Sequence, residues 1–82
     1  MTARVLQWSL DQLSLNRKVA IASVVDTSGS VPGKAGARLA LTEFDLVGTV
    51  GGAGLEMKVI ARLRELISEA SKPCGEVVTY GL

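Results

Sequence analysis

Residues 46–70, LVGTVGGAGLEMKVIARLRELISEA, carry the clearest structural pattern in this sequence. A short run rich in β-branched residues ends at a glycine-rich loop, Gly51-Gly52-Ala53-Gly54, which suits a strand followed by a tight turn. From Leu55 to Ala70, apolar residues recur at helical spacing and form one stripe, with charged residues on the opposite side. The stretch therefore predicts a strand, a glycine loop and an amphipathic helix that packs on a sheet.

Two more predicted strands lie upstream of this stretch. Residues 18–26 form a continuous apolar run, typical of a strand that is central in its sheet and covered on both faces. Residues 37–42 alternate, with Leu39 and Leu41 on one face, and together with residues 46–50 they predict a β-hairpin.

The two ends of the chain supply one more helix and one more strand. Residues 3–15 predict a helix whose core-facing residues are Leu6, Leu10 and Leu13. Trp8 lies on the opposite side of that helix, either as a surface residue or as part of a subunit contact. Residues 76–80 predict a last strand.

The predicted elements follow the order α-β-β-β-α-β. This order indicates a single small domain, residues 1–82, in which two helices pack on a β-sheet that contains a hairpin. The fold class is α/β, with α+β as the alternative.

Composition excludes several classes of function. The 82 residues carry nine basic and eight acidic side chains without a basic stripe, which argues against nucleic-acid binding. No apolar run is long enough for a membrane span and no secretory signal occurs, so we expect a cytoplasmic protein. The sequence has no histidine and one cysteine, Cys74, which we interpret as an incidental thiol. It therefore offers neither a metal cluster nor an activated nucleophile, and we expect a protein that is not an enzyme.

The glycine loop is the first candidate site. The first turn of a helix has N–H groups without partners and a positive dipole end, so the loop is either a phosphate or anion site or only a tight turn. Glu56 falls inside the apolar stripe, where it bonds the free N–H groups of the first turn, or else faces a pocket or holds the 27–36 loop. Arg38 either pairs with Glu56, binds an anion, or is an exposed strand residue. Ser28 and Ser30 are either ligand donors or turn formers.

Two segments together resemble the XdhC/CoxI family. Residues 24–38, VVDTSGSVPGKAGAR, are similar to the family pattern T-x-G-S-x-P-R-x-x-G-A-R, and residues 48–56, GTVGGAGLE, are similar to G-x-G-G-G-x-x-E. The resemblance covers about residues 18–70, in the same order and spacing. The chain departs from the family at Gly33, where arginine is usual, at Ala53, the third glycine of the run, and at Gly54, often cysteine in relatives.

The resemblance implies a non-catalytic accessory protein that binds molybdenum cofactor (molybdopterin) or its phosphate. It further implies assistance in inserting the cofactor into a molybdenum hydroxylase such as xanthine dehydrogenase. Relatives continue into a Rossmann-like domain, so it implies either a stand-alone short form or a fragment. The alternative is an interaction module that forms a homo-oligomer and docks on a separate Rossmann-domain partner without binding cofactor. Carried over by position, with Lys34 as a substitute cation, the implied binding residues are Ser30, Pro32, Lys34, Gly36, Arg38, Gly51, Gly52, Gly54 and Glu56.

Overall fold

The centre of the fold is an antiparallel sheet of three strands among residues 2–25, 36–69 and 71–78, the part of the chain that the computed structural model describes. The strands are β1 (Ala20–Ser23), β2 (Arg38–Leu41) and β3 (Leu46–Gly48). The helices are α1 (Thr2–Ser14), before the sheet, and α2 (Ala53–Glu69), after it. The expected small domain of sheet and helices is confirmed, and the antiparallel pairing assigns it to the α+β class.

The predicted hairpin is formed by β2 and β3. Its register pairs Ala40 with Val47 and Leu41 with Leu46. The turn between the strands is closed by Thr42, whose Oγ1 accepts hydrogen bonds from the N–H groups of Phe44 and Asp45, each at 3.1 Å. The polar Thr42 side chain can be buried because its hydroxyl forms hydrogen bonds with the turn that follows β2.

The apolar stripe of α2 packs on the sheet as predicted. Leu39 and Leu41 are fully buried and form one cluster with Val59 and Leu63 of the helix. Alternation along β2 directs Ala40 to the opposite face of the sheet, where it is also fully buried. Helix α1 packs on β2 and β3 and α2 on β1 and β2, so both faces of the central strand are covered.

The predicted core face of α1 is wrong. The residues that this helix buries are Val5, Ser9 and Gln12, whereas Leu6, Leu10 and Leu13 are exposed. The polar residues tolerate burial because their groups are paired: the Ser9 hydroxyl donates to the Val5 carbonyl at 2.8 Å, and the Gln12 side-chain oxygen accepts from Arg17 at 2.8 Å. The helix therefore sits on the sheet through a narrow and partly polar face.

The predicted central position of β1 is also wrong. In the described part of the sheet the strand order is β1-β2-β3, so β1 is at an edge and β2 is central. Because α1 does not reach β1, the α1 side of this strand is uncovered and Ile21 is exposed.

The predicted C-terminal strand is wrong over its described residues. Residues 73–78 have no strand structure and are exposed, and residues 79 and 80 lie outside the described part of the chain. Glu76 is instead held by α2: both of its carboxylate oxygens accept hydrogen bonds from the Arg62 guanidinium, at 2.7 and 2.8 Å. This bidentate pair places the segment against the helix rather than beside a sheet edge.

Candidate functional site

The two sequence motifs meet at one edge of the sheet. In an antiparallel sheet the end of β1, the start of β2 and the end of β3 lie at the same edge, which brings Ser23, Arg38 and Gly48 together. The Thr49 N–H donates to the Arg38 carbonyl at 3.0 Å, so the residue after β3 is joined directly to the residue that begins β2. We call Ser23, Arg38 and residues 48–56 the motif edge.

Two glycines allow the backbone of the motif edge to turn from β3 into α2. Gly48 has a φ of 86°, and a Cβ there would lie 2.3 Å from the Arg38 carbonyl oxygen and 2.8 Å from Cγ2 of Val5. Gly51 has a φ of 111°, a conformation that side chains rarely adopt. The chain can therefore leave β3 and enter α2 only because these positions carry no side chain.

Glu56 ties the glycine loop to the end of β3. Its Oε1 accepts hydrogen bonds from the Thr49 hydroxyl and, at 3.0 Å, from the Val50 N–H. The N–H of Gly51 donates to the same Thr49 hydroxyl at 3.1 Å. The observed donors precede α2, so the predicted bonding to N–H groups of the first turn is not what the described residues show, and the carboxylate instead acts as a clasp across the loop.

The same contacts lower the pKa of the Glu56 carboxyl below its ordinary value of 4.5. The Thr49 hydroxyl is the largest cause, and the backbone N–H groups of Val50 and Gly51 act in the same direction. Partial burial opposes them, because it favours the neutral acid. Glu56 is therefore an anion at neutral pH, placed where the helix dipole also favours negative charge.

Arg38 belongs to the motif edge but does not pair with Glu56. Its Nε donates to Oγ of Ser23 at 3.1 Å, on the face opposite Leu39 and Leu41. Helix α2 lies on the Leu39 face, so the sheet separates the guanidinium from the Glu56 carboxylate. Within the described residues, neither of the two ion pairs involves Arg38.

The helix start keeps donors that the clasp does not use. The N–H of Glu56 donates to the Gly52 carbonyl at 2.7 Å, so the N–H groups of Gly54 and Leu55, nearer the helix start, have no acceptor within the helix. Gly54 is exposed, and a Cβ at this position would meet nothing within 4 Å. A ligand could reach this part of the backbone without steric hindrance.

The remaining predicted residues divide into two groups. Gly36 is described: its φ is 90° and its N–H donates to the Val24 carbonyl at 2.7 Å, which extends the pairing of β1 and β2 toward the motif edge. Ser28, Ser30, Pro32 and Lys34 lie outside the described residues, so their part in a site stays a prediction.

Sequence reasoning missed Thr49. This residue receives no role from the glycine pattern, yet its hydroxyl links the Glu56 carboxylate to the Gly51 N–H. Thr49 and Glu56 are seven residues apart, so the three-residue spacing of a capping box does not describe this pair. No local sequence pattern therefore identifies Thr49.

In the described part of the chain, no group of three or more acidic or cysteine side chains is arranged to hold a metal ion. Over the same residues, neither helix combines the length and the hydropathy that a bilayer span requires. An open pocket lies between the start of α1 and β3, and one of its lining residues, Gly48, also belongs to the motif edge.

Comparison with known proteins adds one match. No curated protein and no solved structure matches the chain significantly. The model of the XdhC and CoxI family, however, matches residues 13–81, which include both sequence motifs and the whole of the described sheet. The chain therefore belongs to the XdhC and CoxI family.

Proposed function

We propose that the chain is a non-catalytic accessory protein in the maturation of molybdenum hydroxylases such as xanthine dehydrogenase. In this proposal molybdenum cofactor is cargo that the protein binds by its phosphate and passes to the apoenzyme. Family membership supports the accessory role. The proposed partners are a hydroxylase subunit and a Rossmann-like domain.

The motif edge is the observation that carries the proposal. It has N–H groups at the start of α2 without a partner in the helix, on one face of the sheet, and the guanidinium of Arg38 on the other face; both kinds of group bind anions such as phosphate. Within the described residues Arg38 bonds Ser23 through its Nε, so its two terminal nitrogens are the groups proposed to bind an anion.

The fit of a phosphate also defines the role of Glu56. Because its carboxylate already accepts two hydrogen bonds at the loop, a second anion cannot use the Val50 N–H and would be repelled by the carboxylate at short range. We therefore assign Glu56 as a positioning residue that shapes the loop, and Gly54 and Leu55 as the groups that would hold the phosphate. Arg38, on the other face of the sheet, is proposed as a separate group for another anionic part of the cofactor.

Binding of the isolated cofactor tests this proposal. The purified chain is titrated with molybdopterin released from a molybdenum enzyme, and pterin fluorescence reports the dissociation constant. Arg38→Ala should weaken binding by about tenfold, the equivalent of one charge-assisted hydrogen bond. Arg64→Ala is the matched control, because Arg64 is an exposed arginine on α2 away from the motif edge.

The accessory role is tested separately by reconstitution. Apo-xanthine dehydrogenase is incubated with cofactor in the presence and absence of the chain, and recovered hydroxylase activity is measured. Absence of pterin binding, or equal losses in the Arg38 and Arg64 variants, would overturn the binding site. Unchanged recovery of activity would overturn the role in insertion.

A further inference from the structure

The segment that follows α2 is attached to the helix through one side chain. Residues 73–78, which we call the strap, have no helix or strand structure and are exposed, Val77 at 88%. Among the described residues, all the hydrogen bonds and ion pairs of the strap belong to Glu76. Their partner is Arg62, in the middle of α2.

This contact shows that the chain turns back after α2. The helix continues to Glu69, about 10 Å beyond Arg62 along its axis. The Glu76 carboxylate nevertheless lies within hydrogen-bond distance of the Arg62 guanidinium, with Oε1 at 2.7 Å from Nη2 and Oε2 at 2.8 Å from Nε. The chain therefore reverses direction between Glu69 and Glu76, and the strap runs back beside the charged face of the helix.

The Arg62–Glu76 pair is well formed but reached by solvent. Two parallel hydrogen bonds join the guanidinium to the carboxylate, which is the strongest geometry for such a pair. The same contact raises the pKa of Arg62 and lowers the pKa of Glu76, so both groups are charged at neutral pH. Their side chains are still 37% and 33% exposed. Exposed pairs shift an equilibrium by only up to about fivefold, so a strap held by this pair opens at little cost.

Arg62 has a second acidic neighbour that stays beside it when the strap opens. Glu65 lies three residues further along α2, and its Oε1 accepts a hydrogen bond from Nη1 of Arg62 at 3.4 Å. This distance is long for a charge-assisted hydrogen bond, which is usually about 2.7–2.9 Å, because Glu76 holds the guanidinium. Glu65 can take over the guanidinium when Glu76 leaves, so opening does not leave Arg62 without a counter-charge.

We propose that the strap is a conformational device with two states, closed through the Arg62–Glu76 pair and open with Arg62 held by Glu65. Ionic strength sets the ratio of the two states, because salt screens an exposed pair. The strap decides whether the chain after α2 runs back along the helix or projects from its end, and the rest of the fold is the same in both states. Neither state involves the motif edge, so the device is independent of the proposed function.

NMR spectroscopy of the 82-residue chain tests this device. Amide order parameters of the strap report its mobility, and the shift of the Arg62 Nε–H signal reports its pairing. Between about 0.01 M and about 1 M salt the screening length falls from about 30 Å to about 3 Å. Over this range the strap amides should become flexible, whereas the amides of α2 should stay rigid.

Three variants that each remove one negative charge separate the pair from a general charge effect. Glu76→Gln removes the contact that closes the strap and should lower the closed-to-open ratio by up to about fivefold. Glu65→Gln removes the competing partner of Arg62 and should raise the same ratio. Glu69→Gln is the matched control and should leave the ratio unchanged, since Glu69 is an exposed residue of α2 that belongs to neither ion pair of the described residues.

Two results would overturn the proposal. One is a strap that stays rigid in Glu76→Gln or is equally mobile at both salt concentrations, because the pair would then not hold it. The other is a shift of the same sign in Glu76→Gln and Glu65→Gln, because the two carboxylates would then not compete for Arg62.

Discussion

Gly48 is the residue whose replacement the backbone tolerates least. Its φ of 86° disfavours any side chain, and the Arg38 carbonyl oxygen stands 2.3 Å from the site of a Cβ. We expect Gly48→Ala to lower the free energy of unfolding by about 3 kcal/mol, from strain and the shift of α1 that Val5 would require. Urea denaturation measures the loss.

Gly54→Ala is the matched control for this prediction. At Gly54 a Cβ meets nothing and the φ is not positive, so the stability should change by less than about 1 kcal/mol. Equal losses in the two variants would show that the close approach of Gly48 to β2 is not present in solution.

Glu56 should make stability depend on pH. Its pKa is lowered in the folded protein, so its contribution is present above the ordinary pKa of 4.5 and is lost as the pH falls through the folded value. Glu56→Gln should cost about 1 kcal/mol at pH 7, reduced by the solvent that reaches the carboxylate, and the difference from wild type should shrink below pH 4.5.

Denaturation curves of both proteins between pH 3 and 7 measure this difference. The pKa of Glu76 is also lowered, by Arg62, but this pair is present in both proteins and its effect cancels. A difference that stays constant through pH 4 would contradict the clasp. Thr49→Val should reproduce the loss at pH 7, because the hydroxyl is the largest cause of the shift.

Helix α1 shows how an apolar pattern can predict a helix and still mislead about its orientation. Leucines at positions 6, 10 and 13 satisfy helical spacing, but so do Val5, Ser9 and Gln12, which the structure buries. Close approach to the sheet near Gly48 and Ala40 favours the smaller side chains, and local hydrogen bonds satisfy the polar ones. The space between the helix and the sheet, rather than the hydrophobicity of the side chains, therefore decides which face of α1 is buried.

Two truncations on this helix separate the alternatives. Val5 is 3% exposed, so Val5→Ala should destabilise the monomer by about 2 kcal/mol through lost burial and a cavity. Leu10→Ala should change monomer stability by less than about 0.5 kcal/mol, as for other exposed positions. Thermal unfolding measures both. A larger loss of stability for Leu10→Ala than for Val5→Ala would indicate that the leucines, and not Val5, face the core.

The buried core of the described residues is small, and the exposed apolar surfaces of the protein follow from this. Among the described residues, the buried apolar cluster under α2 consists of Leu39, Leu41 and Val50 with two residues of that helix, and partly buried side chains pack around it. A small domain buries a limited fraction of its surface, and here each helix covers only two of the three strands. An edge strand with an apolar sequence, and a helix on which Leu6, Leu10 and Leu13 are exposed, are the consequence.

Local order along the chain was predictable because it depends on near neighbours. Helical spacing in residues 55–70, alternation around Leu39 and glycines at the turn each specify an element through short-range geometry, and the two motifs sufficed to indicate the family. Which side of α1 is buried, that β1 lies at an edge, and that Glu56 bonds Thr49 instead of Arg38 were decided by tertiary packing. These features depend on which helix faces and strands pack together on a small sheet. Such packing joins residues that are far apart in the chain, and a local sequence pattern carries no information about their distances in space.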